Sequence, residues 1–393
     1  MSNRGETVIL DLVGPASHRL VREPGVGSVS VGPRREGPGP DLVVAPDAVV
    51  RWESFDSLQT PAGAPWPRWV VYEGQDLSVF SWSEQRPIEG LDYLATADVA
   101  VDLDRAKIAR LGVASQGHHV SVGLPSATNC HQVTLVGDPA DFSLRVPVGG
   151  LVPALAFHLP QLRAAEGEPA PADGSRGARG LPPFPENAGV REVSVSSDPL
   201  DVPFDVGSLR QFPDLDNVEL AGACAHLEAL EELPLRRLAL RYVPDLSGLP
   251  DLSCWPDLGT IIVWNCDAEA SRRIRSQLKA LAPSDHHRSV SKPRGRAWFL
   301  EEYGLPFAAW PAGSARKATA GFKAAAKTVK AATSAEAALT AVSAFTATAN
   351  TLTGIETSER EDLGSAVVLL TKLSAVPVPA ADALAVFDAE RTF

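Results

Sequence analysis

His118 and His119 precede one apolar, strand-like run of the 393-residue chain, and Asn129, Cys130 and His131 precede the next. Zinc takes Cys and His in tetrahedral sets, and neighbouring strands could bring His119, Cys130 and His131 together. Adjacent residues of a strand point to opposite faces, however, and no further ligand pair of suitable spacing follows. Asp285, His286 and His287 lie in a connector beside a basic run and read as solvated. No metal and no cofactor is expected. The chain also lacks HExxH, GxSxG, a P-loop and an EF-hand loop. Gly25 to Gly32 (GVGSVSVG) lacks the third glycine of a dinucleotide fingerprint and reads as a turn with a strand. Catalytic triads are assembled in space and not in sequence. A hydrolase with a dispersed site near His118, His119 and His131 is therefore the alternative to the expected non-enzyme.

The elements that would hold such groups are marked by a recurring frame, apolar-x-x-apolar-x-apolar. It is met at Val190/Val193/Val195, Leu215/Val218/Leu220, Leu235/Leu238/Leu240 and Leu258/Ile261/Val263, with starts 25, 20 and 23 residues apart. The tetrapeptide PDL-type motif (Phe212 to Leu215, and three times between Val243 and Leu258) punctuates these units. Proline fixes φ, and aspartate accepts nearby backbone N–H groups, so the motif is expected to turn a corner and not to bind. In each frame alternate side chains face one core, and a single unit cannot bury its apolar side unless others stack on it.

This pattern resembles the leucine-rich repeat, whose unit has a period of 20–29 residues; the best match is residues 213–266. Cys266 stands at the Asn/Cys position of the last unit, while Asp198, Ala223 and Val243 stand there in the others. The resemblance implies an α/β fold: a degenerate solenoid of short parallel strands over 96–283, with a loop insertion at about 164–189. A β-rich region (1–95) precedes it, and a connector with an α-helical domain (284–393) follows. It also implies an outward row of side chains: Arg191, Glu192, Ser194, Asp216, Asn217, Glu219, Arg236, Arg237, Ala239, Arg241, Gly259, Thr260, Ile262 and Trp264. Within it, Glu219, Arg236, Arg237, Arg241, Thr260, Ile262 and Trp264 are the expected contacts to a partner protein, Trp and Arg being the types that dominate binding hot spots. The expected function is that of a non-catalytic scaffold or interaction protein.

Hydrophobic residues make up 45% of the chain and charged ones 21%, which excludes a disordered tail. The four cysteines are dispersed without a CxxC, so buried free thiols are expected. The first residues are too short in apolar run for a signal peptide, and no stretch suffices for a membrane span. The expectation is a bacterial-type composition and a cytoplasmic location without membrane insertion. Trp69–Tyr72 and Leu77–Trp82 suggest a hairpin. Further on, 315–332, 335–353 and a segment opened by a capping box at Ser358 to Glu361 have helical spacing, and a short helix carrying Leu384 and Phe387 ends the chain. The net charge of −12 hides a basic stretch: residues 286–330 hold nine basic and two acidic side chains. Arg316, Lys323, Lys327 and Lys330 fall on one helix face. Nucleic acid or another anionic surface is thus the alternative partner, disfavoured by the acidic whole and the lack of a known nucleic-acid-binding motif.

Overall fold

The computed structural model describes residues 6–35, 39–124, 130–146, 152–161, 177–184, 189–280, 287–291 and 293–393. The chain divides into two compact units, Met1–Gly295 and Arg296–Phe393. In the first, β1 (Glu6–Leu10) and β2 (His18–Arg22) pair antiparallel. A parallel sheet then begins with β3 (Ser28–Gly32), β4 (Leu42–Val43), β5 (Trp69–Gly74) and β6 (Ile88–Ala95). The next strands are β7 (Val99–Asp102), β8 (Ile108–Ala114), β9 (Val120–Gly123), β10 (Gln132–Val136), β11 (Phe142–Arg145) and β12 (Ala154–His158). The chain alternates here: the odd-numbered three form a ladder of their own and the even-numbered three extend the sheet. Last come β13 (Glu192–Ser196), β14 (Phe204–Asp205), β15 (Asn217–Ala221), β16 (Cys224–Ala225), β17 (Arg237–Arg241), β18 (Thr260–Trp264) and β19 (His287–Val290). β14 and β16 pair with each other, and the others complete a sheet of 12 parallel strands edged by β4 and β19. The molecule is mixed α/β, and the strands of residues 28–95 belong to the same sheet as those of the repeated frame.

One core row runs through this sheet in register: Leu91, Leu111, Val133, Leu155, Val193, Val218, Leu238 and Ile261. All are buried. Each such side chain removed from water contributes about 1.5–3 kcal/mol, and only stacked neighbours can hide it. Towards β5 the filling changes from aliphatic to aromatic. Trp52 meets Tyr72 edge-on at 5.1 Å between ring centroids and lies 5.8 Å from Trp82.

The corners follow a rule. The residue after β15, β17 and β18 has left-handed backbone: Gly222 (φ 95°), Tyr242 (φ 55°) and Asn265 (φ 52°). At Gly222 a Cβ would stand 2.0 Å from the Ser197 carbonyl oxygen, so only glycine fits. The next residues, Ala223, Val243 and Cys266, turn into the core. The Cys266 thiol donates to the Leu240 carbonyl on the preceding strand at 3.3 Å, stitching one turn to the next. The PDL motifs turn corners as well. The Leu215 N–H donates to the Phe212 carbonyl and the Leu258 N–H to that of Trp255, each at 3.1 Å, just before β15 and β18. Asp245 accepts from the Ser247 N–H at 2.8 Å.

One local expectation is corrected here. Leu77–Trp82 is not the return strand of a hairpin but part of α1 (Ser78–Gln85). β5 lies parallel to both of its neighbours, which demands a crossover. Asp76 starts the helix by accepting from the Ser78 N–H at 3.0 Å. Most of the insertion expected at 164–189 lies outside the described residues. A second helix of this unit, α2 (Ala268–Ala280), follows β18.

The second unit holds α3 (Arg296–Glu301), α4 (Ala312–Lys330), α5 (Ala335–Ala349), α6 (Thr357–Lys372) and α7 (Ala380–Glu390). Its core joins Phe322 and Val329 of α4, Val342 and Phe345 of α5, Leu363, Val367 and Leu370 of α6 and Phe387 of α7. The capping box of α6 is built by Glu356 and Glu359, not by Ser358, because the helix begins before Ser358 and carries it in its first turn. Among the described residues no helix is long and apolar enough to cross a membrane.

Candidate functional site

Strand alternation that sends one set of side chains into the core sends the other set outward in three rows across the sheet. The first passes through Arg110 and Gln132, crosses Ala154 and Glu192, and continues to Asn217, Arg237 and Thr260. The middle row holds Gly112, Thr134, Ala156, Ser194, Glu219, Ala239 and Ile262; the third holds Ala114, Val136, His158, Ser196, Ala221, Arg241 and Trp264.

At β15–β18 the outward groups satisfy one another. Arg241 Nε donates to Glu219 Oε1 at 2.6 Å, and Arg237 reaches the other carboxylate oxygen at 3.9 Å. The Arg241 guanidinium lies 4.4 Å from the centre of the Trp264 ring, whose Nε1 donates to Ser289 Oγ at 2.8 Å. Four expected contact residues, Glu219, Arg237, Arg241 and Trp264, are thus brought together, with Thr260 half-buried beside them and Arg236 exposed just before β17. Ile262 and Ala239 depart from expectation: they point away from the aliphatic core yet are buried, Ile262 to 7% exposure. They stand paired in the middle row, between the guanidinium–indole stack and Arg237 with Thr260, and offer no open apolar patch.

From β15 towards β8 the sheet face is open. A groove of about 510 Å³ crosses β8 to β15. Small residues (Ala154, Ser194, Ser196 and Ala221) line it, and Arg110, His131, His158, Glu192 and Asn217 rise around them. Among the described residues, the side chains of Arg110, His131, His158, Glu192, Ser194, Ser196 and Asn217 make no hydrogen bond or ion pair. Folded proteins usually pair such groups or leave them to water or a ligand. The frame had placed Glu192, Ser194 and Asn217 outward; Arg110 and His158 were missed. The available signal was the alternation in "IARLGVA" and "ALAFH", which neither the frame nor the strand-like runs had included.

The groups singled out for metal or hydrolytic chemistry do not converge. His118 faces Asp98 at 3.9 Å, and His119 approaches Ser143 Oγ at 3.3 Å on the smaller ladder. His131 lines the groove of the main sheet instead. The Cys130 thiol donates to the Gln132 carbonyl at 3.2 Å, and burial pushes it up to about 11. Cys224 and Cys266 are pushed up to about 12, chiefly by burial. Such thiols stay protonated and are poor nucleophiles or ligands. Among the described residues no three His, Cys, Asp or Glu side chains are placed to hold a metal; Asp285 and His286 lie outside those residues. In the helical unit, Arg316, Lys327 and Lys330 are exposed on α4. Lys323 is held by Glu301 at 2.8 Å and Glu302 at 3.0 Å, which raise its pKa.

The chain matches no family model, no curated protein and no solved structure.

Proposed function

We propose that the chain is a non-catalytic interaction or scaffold protein, a degenerate leucine-rich-repeat-like solenoid that offers the outer face of its sheet to another protein. Strands that follow one another in sequence and neighbour one another in space support the solenoid, as does the single thiol-to-carbonyl contact of Cys266 with Leu240 on the preceding strand. The observation that carries the function is the groove: seven polar side chains that have no internal partner among the described residues gather on one face of the sheet. A photo-crosslinking residue in place of Ser194, in the full chain and in the cells that make it, should give one dominant protein adduct. The same residue at exposed Arg51, far along the chain, should not. Identical adducts from both positions would sink the proposal. So would turnover in a broad hydrolase panel that His131→Ala abolishes.

A second reading, binding of nucleic acid or another anionic surface by residues 286–330, is favoured by one observation. α4 carries no acidic residue, and its Arg316, Lys327 and Lys330 are exposed without an ion-pair partner among the described residues. Retention of the full chain on duplex DNA that falls steeply with salt, and is lost in the triple alanine variant, supports it; no retention at low salt removes it.

A further inference from the structure

The groove is electrically polar along its length. Arg110 stands on β8 and Glu192 on β13, both in the first outward row and both lining the groove without an internal partner among the described residues. Three strand-to-strand steps separate them through β10 and β12, which amounts to about 14 Å at roughly 4.8 Å per step. Between them the row is occupied by Gln132 and Ala154. Ser194 and Asn217 supply a hydroxyl and a side-chain amide towards the far end.

An extended chain rises roughly 3.4 Å per residue and turns every second side chain to the same side. About four residues therefore span the distance from the guanidinium to the carboxylate, and residues i, i+2 and i+4 all face the sheet. The cation of the groove calls for an acid at one end and its anion for a base at the other. The middle side chain, about 7 Å along, falls between Gln132 and Ala154, and the small alanine leaves it room. Uncommitted hydroxyl and amide groups suit the peptide N–H and C=O groups of such a segment, which would otherwise lose water without replacement.

We infer that the groove between Arg110 and Glu192 receives an extended segment of a partner protein, lying across the strands, with an acidic residue over Arg110 and a basic residue four positions away over Glu192. This rests on the proposal that the sheet face is an interaction surface, and it adds the occupant's chemistry and length.

The test is selection of a displayed random 12-residue peptide library on the full chain, followed by fluorescence anisotropy with the enriched consensus. Enriched peptides should carry an acid and a base four residues apart. Arg110→Glu and Glu192→Lys, both at exposed positions, should each weaken the consensus peptide by roughly tenfold or more, the loss of one desolvated charge pair. Reversing the charge at the matching peptide position should restore binding. Enrichment without that spacing, indifference to both charge reversals, or no binding peptide at all would overturn the inference. In any of these cases a Ser194 adduct in cells would leave the interaction surface standing with a different occupant. Loss of both results would remove the two together.

Discussion

The outer face at β15–β18 and the outer face at β8–β13 are the same backbone in two chemical states. At the first, Glu219, Arg241, Trp264 and Ser289 form a closed chain of ion pair, cation–π contact and hydrogen bond. At the second, Arg110 and Glu192 have the same kinds of charge and, among the described residues, no internal partner. Residue type alone therefore misdirects: the Arg- and Trp-rich end looks like a hot spot, yet its side chains are occupied with one another. The plainer end, floored with Ala and Ser, keeps its polar groups available. Binding competence on a sheet face depends on what the neighbouring strand already supplies.

The contrast can be broken most forcefully from beneath. Leu240 is fully buried under the Arg241 strand, and Leu240→Ala should cost about 2–5 kcal/mol. A urea titration would read this as a lower midpoint with an unchanged slope; a loss below about 1 kcal/mol would mean that the core there is loosely packed. On the surface above it, Glu219→Ala leaves Arg241 and Arg237 without their carboxylate. The pair is only half-buried, with side-chain exposures of 25% for Arg241 and 33% for Glu219. A double-mutant cycle with Arg241→Ala should therefore return a coupling of about 1 kcal/mol and no more. In the groove, Glu192→Ala and Arg110→Ala should shift stability by less than about 0.5 kcal/mol, because both are exposed and neither has a hydrogen bond or ion pair to lose among the described residues. Equal destabilisation by Glu219→Ala and Glu192→Ala would erase the distinction between the two ends.

The same contrast explains what the sequence made legible. The frame over 190–263 was visible because β13, β15, β17 and β18 each follow an apolar residue at a fixed offset (Val190, Leu215, Leu235 and Leu258) and carry aliphatic cores. The helical faces of α4 to α6 were equally plain: Phe322, Val342, Phe345, Leu363 and Leu370 recur at helical spacing and are all buried. Upstream the period was present but concealed. Leu91, Leu111, Val133 and Leu155 are spaced 20, 22 and 22 residues apart and lie in register. Between them the chain inserts β7, β9 and β11, whose valines and serines look like strands of the same sheet although they belong to another ladder. The strand-like run after His119 belongs to the smaller ladder and the one after His131 to the main sheet, so reading them as successive strands mixed two ladders and hid the period. Arg110 and His158 were lost with it, since β8 and β12 were the strands passed over. The crossover at α1 escaped for a related reason: "LSVFSW" alternates well enough for a strand, and only the parallel pairing of β5 with β3 and β6 demands a helix there.

The smallest expected effect lies on the turns behind the satisfied end. His226, held in left-handed backbone at φ 56°, places Nδ1 2.7 Å from Asp205 Oδ1. That hydrogen bond, with the charge of Asp205, raises the imidazole pKa above its ordinary value. A histidine whose folded-state pKa exceeds the unfolded one stabilises the fold fully below the unfolded pKa of about 6.5. The contribution fades as pH rises through the raised folded value. The melting temperature of His226→Ala should therefore fall below that of the parent chain at pH 6 and approach it at pH 9. Asp205 also accepts from the Gly207 N–H at 2.9 Å, a contact that does not need the imidazolium, so Asp205→Ala should remain destabilising across the same range. A His226→Ala deficit that is constant or grows with pH would mean that the imidazole acts by packing alone. Charge at this turn would then add nothing to the stability of the fold.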